Sequence, residues 1–190
     1  MAAKAKHRQP IIDAAVRLFR QRGYAATGLN DLVEESGSPK GSMYHYFPDG
    51  KPSIAAAAVE EAGRRVVETI EELARKSSSS AELMLAHAEV LAGWMEKSGF
   101  RDGCPITTVL LELAPQDRAV TEAGRHAFAA RLRVLRARLI DDGYDAQEAE
   151  AMALVCTNAI QGSLVMARVE CSRGPIIQTV QQLGKILDRL

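Results

Sequence analysis

The chain is expected to be all-α, with a three-helix head carrying a helix-turn-helix and a helical bundle behind it. Three observations predict this. Apolar residues recur at spacings of three and four along almost the whole 190-residue chain, the period of a helix with one buried face. No alternating strand pattern of useful length and no internal repeat interrupts them. The stretch Gly37-Ser38-Pro39-Lys40-Gly41-Ser42-Met43-Tyr44-His45-Tyr46-Phe47 carries the punctuation of a tight turn between two helices: a left-handed stop at Gly37, then an oxygen-bearing cap and a proline to restart.

The elements follow in order. Ile11, Ile12, Ala15, Leu18 and Phe19 form the apolar face of a helix from about Arg8 to Arg22, closed by Gly23. Thr27 is a candidate cap for a second helix with Leu29, Leu32 and Val33 inside, and Asn30 stands where a capping box would have Glu or Gln. The third helix is about two turns long, because Pro48-Asp49-Gly50 ends it. Met43 and Phe47, four apart, face inward there, while Lys40, Ser42, Tyr44, His45 and Tyr46 offer donors and rings. Pro52 opens a long helix to about Lys76, and four serines, 77 to 80, form a linker. Further helices are expected from about Ala81 to Ser98, Pro105 to Leu113, Gln116 to Asp142, Ala146 to Cys171 and Pro175 to Leu190, with Gly99, Gly103, Pro115, Gly143 and Gly174 in the gaps. The head is assigned to 1–51 and the bundle to 52–190.

Composition narrows the function. Hydrophobic content of 47% and charged content of 25% are ordinary for a soluble globular protein. The longest apolar runs read as far short of a membrane span, and the basic start (Lys4, Lys6, Arg8) leads into an amphipathic helix and not a signal peptide. Cys104, Cys156 and Cys171 have no metal or disulfide spacing and read as reduced thiols in a cytoplasmic protein. No metal and no cofactor is expected. Net charge is zero, yet residues 1–52 carry eight basic against five acidic side chains, so a head of +3 sits on a body of −3. A basic head on an acidic body suits a DNA-binding module.

From Ile11 to Lys51 the chain resembles the DNA-binding domain of the TetR family of bacterial transcriptional repressors. Ala14-Ala15, Leu18-Phe19, Gly23-Tyr24, Thr27, Gly37, Lys40-Gly41-Ser42, Tyr44 and Phe47 carry the resemblance. Phe47-Pro48-Asp49-Gly50-Lys51, Gly103-Cys104-Pro105 and Ala159-Ile160-Gln161-Gly162-Ser163-Leu164 followed by Ala167-Arg168 are similar to the lincomycin-resistance-repressor branch. Pro39 departs from the Ser or Thr that many members have, and Val33 from the usual Ala.

The candidate DNA contacts are Thr27, Ser38, Lys40, Gly41, Ser42, Tyr44, His45, Tyr46 and Lys51. Thr27 can offer a helix N-terminus to a phosphate, Lys40 can read guanine or pair with phosphate, and Gly41 lets a backbone approach closely. Lys51 resembles the family's phosphate lysine. The expected partners are a double-stranded DNA operator, a second copy of the chain and a small-molecule effector, with no membrane. One short helix reads few base pairs, so a two-fold dimer on an inverted repeat is implied. Its surface is expected from Ala151, Leu154, Val155, Asn158, Gly162, Val165 and Val169, and from Ile176, Ile177, Val180, Leu183, Ile186, Leu187 and Leu190. The alternative use of these stripes is packing within one subunit.

A mostly apolar effector is expected among Met84, His87, Leu91, Trp94, Phe100, Ile106, Leu110, Phe128, Met152, Cys156, Ile160 and Gln161, and Met95 and Asn158 could join them. Ligand-controlled release of DNA is what the resemblance implies. Two other classes compete. Cys104 before Pro105 at a helix start, with His87 or His126 as base, would make a thiol-dependent enzyme, although no third orienting group is evident. A helical adaptor without DNA binding would leave the Lys40-Gly41-Ser42 face unexplained.

Overall fold

A computed structural model describes residues 6–188. Among them it has nine helices: α1 (Arg8–Arg22), α2 (Leu29–Ser36), α3 (Lys40–Tyr46), α4 (Lys51–Ala74), α5 (Ser80–Lys97), α6 (Pro105–Leu113), α7 (Arg118–Asp141), α8 (Ala146–Glu170) and α9 (Gly174–Leu187). Leu190 lies outside the described residues. The chain divides into two compact units, one running to Arg64 and including Cys104–Ala127, the other comprising Arg65–Gly103 and the chain from Phe128 on. Both α4 and α7 contribute to each unit, so the units are drawn differently from a boundary at residue 51.

The first unit is built on α1. Its buried side chains Ile11, Ile12, Ala15, Leu18 and Phe19 fall on one face, as the spacing dictates. Leu32, Met43, Phe47, Ile54 and Val59 are buried in the same unit. An isolated seven-residue helix is unstable in water, so α3 depends on its two anchors. Burying Met43 and Phe47 contributes about 1.5–3 kcal/mol apiece.

The second unit packs α5, α8 and α9 with the later parts of α4 and α7. Ile70, Leu83, Met84, Leu135, Cys156, Ile160, Ile176 and Val180 share one buried cluster. Asp145 caps α8 by accepting from the N–H groups of Gln147 and Glu148 at 2.8 and 2.9 Å. The Tyr144 hydroxyl donates to the Leu187 carbonyl at 3.1 Å, tying the start of α8 to the end of α9.

Two expectations are corrected here. By length and composition α8 is apolar enough to cross a membrane, with mean hydropathy 1.3 over its best 18-residue window. Its apolar residues lie on two faces: Ala149, Ala153, Cys156, Ile160 and Ala167 are buried, whereas Leu154, Val155, Val165, Met166 and Val169 are exposed. The α9 stripe is the second correction. Ile176, Val180, Leu183 and Leu187 are buried within this protomer's own cluster and Ile177 packs against it, which leaves Ile186 exposed.

Candidate nucleic-acid interface and effector core

The turn between α2 and α3 folds as its residues require. Gly37 adopts φ 62° and its N–H bonds the Glu34 carbonyl at 3.2 Å, a left-handed stop that a side chain would strain. Helix α3 then starts after Pro39, one residue later than the Ser-Pro reading implies. Lys40, Gly41, Tyr44 and His45 are exposed, Ser42 and Tyr46 are half-buried, and the His45 and Tyr46 rings meet edge to face at 5.0 Å. Tyr44 is 49% exposed, a large aromatic surface that the fold does not use. A Cβ built on Gly41 would meet nothing within 4 Å. The protein's own packing therefore does not require glycine at this place in the helix.

Thr27 and Ser38 are corrected as DNA contacts. Thr27 is fully buried, its hydroxyl donates to the Gly23 carbonyl at 2.8 Å and its N–H to the Tyr24 carbonyl at 3.1 Å. Gly28 is the cap of α2, and the Asp31 carboxylate reaches back to its N–H at 2.7 Å. Half of a capping box is therefore present, one residue away from where Thr27 would place it. Ser38 is buried as well, and its hydroxyl has no hydrogen-bond partner among the described residues. Neither side chain reaches the surface that Lys40 and Tyr44 share.

Lys51 begins α4 with its ammonium 4.0 Å from the centre of the Tyr24 ring. Burial lowers its pKa, while the Glu112 and Asp31 carboxylates act to raise it. Burial raises the Tyr24 hydroxyl, as do Asp117 and Glu112. Glu112, on α6, accepts from the N–H groups of Tyr24 and Ala25 at 2.6 and 2.7 Å, one carboxylate oxygen to each. Sequence reasoning missed Glu112. Its partners are backbone groups 88 and 87 residues away in the chain, and no local pattern marks it.

The twelve effector candidates do not form one lining. Ile106 and Leu110 belong to the first unit, where the Leu110 methyls close against Gly124 so tightly that a Cβ there would meet one at 2.6 Å. In the second unit Met84, Cys156 and Ile160 share the buried cluster, and Leu91, Phe100 and Met152 pack against it. Phe128 and Gln161 are half-buried. Trp94 is 42% exposed, which corrects its placement against an interior cavity. None of the twelve lines the surface groove of about 660 Å³ formed by Leu132, Arg136, Ala146, Gln147, Glu150, Ala151 and Leu154.

The interior is also more polar than expected. Arg131, His87 and Thr157 are all at least nine-tenths buried. His87 Nδ1 and Thr157 Oγ1 have no hydrogen-bond partner among the described residues, at about 1–3 kcal/mol each. Burial and then the charge of Arg131 pull His87 down to about 3, so its imidazole is neutral at physiological pH. Burial pushes the Cys156 thiol up to about 11 against the pull of Arg131, which leaves it protonated and unreactive.

Residues 11–58 match the family described as bacterial regulatory proteins of the tetR family, and residues 80–182 match the LmrA/YxaF-like C-terminal domain of transcriptional regulators. The chain belongs to the TetR family. An HTH-type regulator from Mycobacterium tuberculosis is 34% identical to it over 185 residues, covering 95% of this chain and 93% of that one. YxaF and LmrA of Bacillus subtilis, both described as HTH-type transcriptional regulators, are each 28% identical, covering 96% of this chain and 96% and 97% of their own. The fold matches a TetR regulator from Rhodobacter sphaeroides with TM-score 0.83 at 19% identity, over 94% of this chain and 97% of that one. It also matches reduced Escherichia coli NemR with TM-score 0.78 at 20% identity, over 93% and 94%. This TetR-family chain is thus a DNA-binding transcriptional regulator and not an enzyme, and the thiol-chemistry and adaptor readings fall away.

Proposed function

We propose that this regulator is a repressor that binds an inverted-repeat operator as a homodimer and leaves it when a small, mostly apolar effector binds the second unit. The exposed α3 face carries the reading. Lys40, Gly41, Tyr44 and His45 stand out to solvent on a short helix anchored by the buried Met43 and Phe47, a poor core element and a good reader of the major groove. At seven residues α3 is about 10 Å long and spans few base pairs. Two copies on half-sites about 34 Å apart supply the missing specificity.

The exposed face of α8 supports the dimer. Ala151, Leu154, Val155, Asn158, Gly162, Val165 and Val169 are all exposed in the single protomer. A Cβ on Gly162 would meet nothing within 4 Å, so its small size suits a second helix approaching from outside. Burial of this face in a dimer accounts for an apolar α8 without a membrane. The regulator works in the cytoplasm, with the chromosome.

Selection of duplexes from a random pool tests the reading. An inverted repeat should emerge, bound with a steep salt dependence. Lys40→Ala should weaken binding and flatten the salt slope by about one, and Tyr44→Phe should weaken it without unfolding the protein. Failure to retain any duplex, or binding that both variants leave unchanged, would remove α3 as the reader.

A further inference from the structure

Tyr24, Lys51 and Glu112 meet in the first unit from three separate parts of the chain. Only residues 47–50 separate Lys51 from the end of α3, in a turn that the Gly50 N–H closes on the Phe47 carbonyl at 2.9 Å. The Lys51 ammonium lies 4.0 Å from the centre of the Tyr24 ring, inside the roughly 6 Å over which a ring face attracts a cation. A ring holds an ammonium without neutralising it, whereas a carboxylate in the same place would cancel its charge. Tyr24 is fixed in turn from two directions. Its ring meets that of Phe19 with centroids 5.6 Å apart, and its N–H donates to Glu112 at 2.6 Å. The second Glu112 oxygen takes the Ala25 N–H at 2.7 Å, so the backbone that carries the ring is clamped as well.

An unrestrained lysine side chain is among the most mobile, and ordering it at a phosphate costs conformational entropy. For Lys51 much of that ordering is done before any DNA arrives. We propose that Tyr24 is a positioning residue for DNA binding: its ring, on a backbone clamped by Glu112, holds the Lys51 ammonium in place to pair with a phosphate of the duplex. Burial acts against the charge on Lys51, while the Glu112 and Asp31 carboxylates favour it, and the charged form is the one a phosphate needs. The inference rests on the first unit being the DNA reader. It adds a contact that acts alike on every sequence and leaves the bases to α3.

The test uses the full chain and a random-sequence duplex, because a phosphate contact is indifferent to base order. Lys51→Met should weaken binding and flatten the dependence of log affinity on log salt by about 0.9. Tyr24→Leu should weaken binding about three- to tenfold at fixed salt with the slope unchanged, since the charge remains but is no longer held. Tyr24→Phe keeps the ring face and should bind as the parent does. In a Lys51→Met background, Tyr24→Leu should cost less than about twofold more. In NMR spectra the Lys51 ε protons, assigned through Lys51→Met, should be shifted upfield by the ring and remain so in the complex. That measurement needs no change at Tyr24, so it decides the matter even where Tyr24→Leu does not fold. The inference is overturned by an unchanged slope in Lys51→Met, by parent-like binding of a folded Tyr24→Leu, or by an equal cost of Tyr24→Leu with and without Lys51. An ordinary Lys51 proton shift, in the free protein or in the complex, overturns it too, as does failure to bind the duplex at any salt concentration. Lys40→Ala on the selected operator separates the two readings. Unchanged operator binding there, with a flattened slope in Lys51→Met, defeats α3 as the reader and leaves the role of Tyr24. Loss of the operator there, with the slope of Lys51→Met unchanged, defeats the role of Tyr24 and leaves the reader.

Discussion

The Lys51 ammonium lies 4.0 Å from the centre of the Tyr24 ring, which ties the first residue of α4 to the turn that follows α1. Tyr24 is held from the other side by Glu112, whose carboxylate accepts from its N–H and from that of Ala25. Three side chains from separate parts of the sequence thus fix one turn.

Glu112→Ala should destabilise the protein by about 1 kcal/mol, the low end for a charge-assisted hydrogen bond because these groups are exposed and water can replace the carboxylate. Glu112→Gln keeps a single acceptor and should fall between. Chemical denaturation measures both. An alanine variant as stable as the parent would mean that α6 does not brace this turn.

Gly41→Ala should change stability and DNA binding in opposite directions. A methyl group there meets nothing in the protein, and alanine is better than glycine in a helix by as much as about 1 kcal/mol. Stability should rise or hold while affinity for the selected operator falls. Equal affinity would show that no DNA backbone comes close at this position.

Gly162→Leu should give monomers that lose the operator in parallel, because the leucine projects from the exposed α8 face and disturbs nothing in its own protomer. Val165→Asp should act the same way, from a side chain that is 62% exposed. Sedimentation at micromolar concentration reads the outcome. A stable monomer of the unmodified protein would sink the dimer and the inverted repeat together.

His87 makes stability depend on pH with a definite sign. Its folded pKa of about 3 lies below the ordinary 6.5 because of burial and the Arg131 charge. Between those values the unfolded chain takes up a proton that the folded chain refuses, so stability falls as pH falls through the window. The slope contributed is at most about 1.4 kcal/mol per pH unit. His87→Leu should flatten urea-denaturation stability measured from about pH 7 to about pH 5. Parallel curves for the two proteins would mean that His87 is not buried in its neutral form.

Helix positions, the turn at Gly37 and the inward pair Met43 and Phe47 were all legible in the chain itself. Each depends on residues within one or two turns of each other, where spacing and backbone preference act directly. The exposed set Lys40, Gly41, Tyr44 and His45 was legible for the same reason. Thr27 and Ser38 were misread because a hydroxyl before a helix looks alike whether it faces solvent or a neighbouring carbonyl. Their burial is decided by the packing of α1 to α4.

What the sequence by itself determined was the all-helical fold, the family and the position of the helix-turn-helix, since local periodicity and a run of about forty matching residue types suffice for those. Tertiary structure alone decided how the apolar stripes are divided. On α9 the stripe is consumed by its own bundle, whereas on α8 a second apolar face remains open. A 3.6-residue period marks a face as apolar but does not say what covers it. Structure alone also showed that Arg131, His87 and Thr157, on three different helices, are buried, and placed Glu112 against Tyr24 from 88 residues away. Contacts between residues so distant in the chain leave no local pattern, because each depends on how whole helices pack.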